Sequence, residues 1–89
     1  MKIPAKLKIG AIWWEIREVA SRELDSDEVL CGDMSPEDQL IRINKNLSRE
    51  MKELTLIHEV LHCIDLEMEH NAVEMLANTI HQIIVENFK

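Results

Sequence analysis

Apolar residues recur at helical spacing through most of the second half of the chain, and this pattern limits the fold more than any other feature. Leu54, Ile57, Leu61 and Ile64 mark one stripe, and Val73, Leu76, Ala77, Ile80, Ile83, Ile84 and Phe88 mark a second. Ser48 stands before the first stripe as a good N-cap, although Ser48 to Met51 reads S-x-x-M and not a full capping box. The spacing predicts one helix from about Ser48 to Glu67 and another from about Asn71, its expected cap, to Phe88. The connection around Met68–His70 is short, so the helices should pack as an antiparallel or steeply crossing pair.

Residues 6–43 carry a different signature. Ile9, Gly10 and Ala11 suit a tight turn between strands at Lys6–Ile9 and Ile12–Val19, the latter alternating imperfectly through Trp14, Ile16 and Val19. Positions 21–28, SRELDSDE, read as an acidic loop. Val29–Met34 and Gln39–Ile43 flank Ser35-Pro36-Glu37-Asp38, a turn in which proline presets φ. Arg42 among Leu40, Ile41 and Ile43 suggests a strand at or near a sheet edge. The expected fold is therefore α+β: one domain over 1–89, with a small antiparallel sheet of three or four strands followed by two packed helices.

With 89 residues and three aromatics (Trp13, Trp14, Phe88), the core must rest on aliphatic side chains and Met. A metal that binds only the folded state would help so small a domain. The formal net charge of −7 argues against nucleic acid, whose binding depends on basic side chains at phosphates, and against anionic membranes. No apolar stretch approaches a membrane span, and the N-terminus lacks a signal-peptide core. Cys31 and Cys63 form no CxxC pair and are expected to stay reduced. The expected location is cytoplasmic.

The first helix contains His58-Glu59-Val60-Leu61-His62. Histidines four residues apart stand one above the other on one face, within reach of a single tetrahedral zinc. Glu59, beside that face, can hold a water and act as its general base. A catalytic zinc takes a third protein ligand and leaves a fourth position open. Asp65 shares the face of His58 and could ligate, or hydrogen-bond a ligand from behind. His70 lies in the connection, Glu74 opens the second helix, and His81 lies two turns beyond Glu74, which is far for the same ion. Geometry favours Glu74 over His70. The metzincin extension is excluded, because Asp65 and Met68 stand where it needs glycine and histidine.

The stretches LTLIHEVLHCID and VEMLANTIHQIIVEN resemble minimal gluzincin-type zinc metallopeptidases of bacteriophages and prophages, distant relatives of the ImmA/IrrE-type peptidases. The likeness runs from about Cys31 onward. It implies zinc held by His58, His62 and the Glu of an ExxAN pattern, here Glu74, Ala77 and Asn78. It also implies an extended peptide or protein substrate added to a sheet edge, with Gln39–Ile43 the candidate edge. Such peptidases usually supply a His, Tyr or Arg to the oxyanion. The chain has no Tyr, which leaves His70, His81 or Arg42 for that role.

The expected activity is thus zinc-dependent peptide hydrolysis. The alternatives are a zinc-binding interaction module without turnover and a metal-free structural helix pair. Met51, Met68 and Met75 read as packing residues and Cys63 as core. Asp65, Glu67, Glu69 and Glu74 read as a solvated acidic face. Trp13 and Trp14 should divide between surface and core.

Overall fold

The computed structural model describes residues 2–20 and 31–88. The acidic stretch 21–28, and the Val29–Leu30 start expected for the third strand, lie outside the described residues. In chain order the elements are β1 (Lys6–Ile9), β2 (Ile12–Val19), β3 (Gly32–Ser35), β4 (Leu40–Asn44), α1 (Arg49–Ile64) and α2 (His70–Asn87). The fold is α+β, a four-stranded sheet followed by two helices.

Both expected turns close hairpins. Ile9 pairs with Ile12, so Gly10 and Ala11 form a two-residue loop, and Gly10 takes the positive φ of 62° that a type II′ turn needs at its first central position. Ser35 pairs with Leu40 around Pro36, where the Ser35 hydroxyl donates to Asp38 Oδ2 at 3.1 Å and Gln39 takes φ 51°.

The strand order is β1-β2-β4-β3, and β4 runs parallel to β2. The sheet is therefore mixed, not purely antiparallel. After β2 the chain places β3 one strand-width away, and the β3–β4 hairpin folds β4 into the slot between them. β4 is consequently central, paired on both sides, and Gln39–Ile43 is not an edge. Ile41 and Ile43 on β4 are fully buried, as a central strand under a helix requires. The edges are β1 and β3, and Arg42 is accommodated inside the sheet because Asp33 of β3 accepts from its Nε at 2.8 Å and from its Nη2.

Ser48 caps α1, accepting from Met51 N–H at 3.2 Å. The helix ends at Ile64, three residues short of the expectation, because Asp65 breaks to extended geometry and its Oδ1 accepts from Glu67 N–H at 3.0 Å. α2 then starts at His70 with Glu69 in the N-cap position, so Asn71 is a first-turn residue and not the cap. The Glu53–His81 contact at one end of the helix pair and the grouping of His58, His62 and His70 at the other show that α1 and α2 run antiparallel.

The inward faces differ from the expected stripes. Trp14, Ile16, Ile41, Ile43 and Leu56 form the core, with Val60 and Cys63 packed against it, so α1 meets the sheet through positions 56, 60 and 63. Ile57 is buried as expected, but with Leu61 and Ile64 it borders an apolar groove shared with Pro4, Leu7, Ile80 and Ile84, and Ile64 is exposed. On α2 the buried line is Val73, Ala77 and His81, while Leu76, Ile83 and Phe88 are exposed. Met51 and Met75 are also exposed rather than packed. Trp14 is buried and Trp13 exposed, and both cysteines are free. No helix among the described residues is long and apolar enough to cross a membrane.

Candidate metal centre

The HExxH segment occupies the last two turns of α1, and the five residues after α1 bring the first turn of α2 back beside it. Nε2 of His58 and Nε2 of His62 lie 3.1 Å apart. Donor nitrogens of His58, His62 and His70 all fall within 4.8 Å of one another. Two nitrogens on one tetrahedral zinc, each about 2.05 Å from it, stand about 3.3 Å apart, so the α1 pair already has the spacing that such an ion imposes. The donor chemistry fits zinc well, since neutral imidazole is among its preferred ligands.

The expected preference for Glu74 over His70 as third donor is not what the side chains display. α2 begins one residue before Asn71, which puts His70 on its first turn facing α1, with ring centroids 5.3 Å from His58 and 6.4 Å from His62. Glu74, one turn on, meets His70 at 3.2 Å between Oε1 and Nε2. The side chains that come together are therefore His58, His62 and His70, while Glu74 touches His70, acts electrostatically on His58 and lines the same cleft. Asn78 donates its Nδ2 to the backbone oxygen of Glu74 at 2.8 Å. Asp65 has left the helix and turned its carboxylate to Glu67 N–H, away from either role proposed for it. His81 is buried in a pair with Glu53 Oε1 at 3.0 Å.

The trio opens into a cleft of about 500 Å³ that runs between β3, α1 and α2. Glu59 lines it while being only 7% exposed, and its carboxylate has no hydrogen-bond or ion-pair partner among the described residues. Burial, with the negative charge of Asp33 second, pushes its pKa up to about 7. A carboxyl poised there can take a proton and give it back near neutrality. Burial and then the neighbouring imidazoles hold His58 below the usual histidine value, with Glu74 opposing; burial and then His70 do the same to His62. Both effects favour the neutral rings that bind metal.

Gly32 sets how closely β3 approaches this helix. A Cβ there would stand 2.6 Å from Arg42 O and 2.7 Å from Thr55 Cγ2, so no larger residue fits without displacing backbone. Sequence reasoning did not single out β3 as the wall of the cleft, nor Leu54, Met51 and Thr55 as its lining. The last three had a usable signal, because they precede His58 by one or two turns on the same side of α1. No protein-family model, curated protein or solved structure matches this chain.

Proposed function

We propose that the protein is a zinc-dependent peptidase that hydrolyses a peptide bond in an extended substrate lying along β3. The observation that carries this is the convergence of His58, His62 and His70 beside Glu59, a buried carboxyl with a raised pKa facing an open cleft. When bound, zinc supplies Lewis-acid polarisation of a carbonyl and makes water more acidic. Glu59 accepts the proton of the attacking water and delivers it to the leaving amine. Glu74 fixes the tautomer and direction of the His70 ring. β3, the free edge that walls the cleft, offers backbone groups to an added strand. The likeness of the HExxH and ExxAN segments to phage gluzincin-type peptidases supports the same reading, and with it a bacterial or phage-infected cytoplasm as the place of action.

A second reading, a zinc-binding interaction module without turnover, is favoured by the lack of an obvious oxyanion donor among the described residues. Arg42 is engaged with Asp33, His81 with Glu53, and Asn78 with the Glu74 backbone, while His70 belongs to the trio. A Glu59→Gln variant separates the two. Retained zinc with cleavage of a peptide library lost by about a hundredfold or more is expected of the enzyme. No cleavage by the zinc-loaded wild type, with an undiminished biological effect of Glu59→Gln, would favour the module.

A further inference from the structure

α2 is unusual for an outer helix in carrying almost no charge. Between Glu74 and Glu86 there is no Asp, Glu, Lys or Arg, and the one ionisable side chain, His81, is buried against Glu53. Beside the buried line of Val73, Ala77 and His81 runs a second apolar stripe, Leu76, Ile80 and Ile83, at i, i+4 and i+7. Leu76 is 42% exposed and Ile83 48%, and they flank Ile80 as a ridge. α1 brings Ile57, Leu61 and Ile64, at the same spacing, to the same side. There they line an apolar groove of about 420 Å³ with Ile80 and Ile84 of α2 and Pro4 and Leu7 from the start of the chain. The groove shares no lining residue with the histidine cleft, so filling one leaves the other open.

We propose that two copies of the chain meet on this face, α2 of each lying against the groove between α1 and α2 of the other. Ridge and groove stand side by side, so each copy offers both halves of the contact, which is what a closed twofold pairing requires. The charge distribution favours a second copy as the occupant. Two chains of net charge −7 repel, and they can approach most closely where charge is absent, which is this side of α2. Lys2 is the one charged residue among the described residues that line the groove, while Glu86 lies one turn beyond Ile83 on the ridge; the pairing thus joins opposite signs. The area is sufficient. Together the two stripes leave about 400–600 Å² of apolar surface open, the upper range for the largest patch on a monomer. Covered on both copies, with exposed Thr79 and Gln82 as a polar rim, the patch reaches roughly 1,200 Å², where specific stable interfaces begin.

Sedimentation equilibrium of the full chain tests this, with chelator present so that the metal site does not enter. Wild type should be mainly dimeric at about 50 µM and dissociate on dilution. Ile83→Glu on the ridge and Ile64→Lys in the groove should each weaken dimerisation by at least about a hundredfold, because a twofold contact buries each new charge twice. Both positions are exposed, so the variants should keep the far-UV circular dichroism of the wild type. An equimolar mixture of the two should recover a dimer, since one ridge and one groove remain intact and the introduced charges are opposite. Trp13→Glu, an exposed position on the sheet face away from the helices, should leave dimerisation within about threefold of wild type. A wild-type chain that stays monomeric up to about 500 µM overturns the proposal and leaves the face to a foreign partner. A dimer that survives both helix substitutions, one that Trp13→Glu disrupts, or growth past the dimer into open chains overturns it equally. None of these outcomes bears on the peptidase reading.

Discussion

The helix pair holds two groupings of histidine and carboxylate, and they are built on opposite rules. At one end His81 and Glu53 are both buried and satisfy each other at 3.0 Å. At the other, half-buried His58 and His62 converge with exposed His70 around a cleft, and Glu59 is buried beside them without a partner among the described residues. The first arrangement removes an electrostatic cost, since each group meets the other's hydrogen-bonding needs. The second retains one: three rings that would repel if protonated, and a mostly covered acid with no counter-charge paired to it among the described residues. Arrangements that retain such a cost persist where a ligand or a proton relieves it. The pair thus acts as a clamp, and on the proposed reading the trio is a site.

The largest effect expected from this contrast is on metal-linked stability. Zinc at about a thousand times its dissociation constant should raise the unfolding free energy by about 4 kcal/mol, and a chelator should remove the gain. His58→Ala should abolish that response, whereas His81→Ala should leave zinc stoichiometry unchanged; thermal melts with metal analysis decide it. A metal response lost equally in both variants would end the distinction.

Next comes Glu59 in metal-free protein. Its folded pKa, about 7, lies above its ordinary value of 4.5, so the fold is favoured at acid pH and loses stability as pH rises through that interval. Glu59→Gln should flatten this slope and make the metal-free protein more stable than wild type at pH 8, by up to about 3 kcal/mol. Urea melts from pH 5 to 8 measure it. Equal slopes in the two proteins would show that Glu59 is not held at a cost.

At the clamp, His81→Ala should destabilise by about 1–3 kcal/mol, the penalty for leaving a covered partner unmet. The smallest effect is its pH signature. The hydrogen bond to His81 lowers the Glu53 pKa against the opposing effect of burial. Stability from this carboxylate is therefore present above pH 4.5 and lost as pH falls through its depressed value. Glu53→Gln should shallow the acid limb of the stability profile, opposite in sign to Glu59→Gln.

Spacing alone was enough to put His58 and His62 on one face of α1 and to divide the tryptophans between surface and core. It could not choose between His70 and Glu74, because they lie four residues apart on one helix, and which faces α1 depends on where α2 begins. That start is set by the Asp65 turn, a local hydrogen bond that leaves no periodic trace. Sheet order was hidden for a related reason. Alternation marks the faces of a strand, not its neighbours, so the insertion of β4 between β2 and β3 could not be read from LIRIN. The Arg42 that suggested an edge is held inside the sheet by Asp33, nine positions away. His81 filled a core position that a hydrophobic stripe would assign to aliphatic residues, and Glu53 across the helix pair is what permits it.

The parallel pairing of β4 with β2 has a kinetic corollary. Residues 15–19 must find residues 40–44, a long-range search, before α1 has a surface to lie on. The three imidazoles, by contrast, lie between positions 58 and 70 and need only two helical segments and the turn joining them. On the proposed metal-binding reading, the C-terminal half would capture its cation while the sheet is still assembling, whereas the burial that tunes Glu59 arrives only with the completed sheet. Ion capture and proton handling would then mature at different moments in the life of one chain.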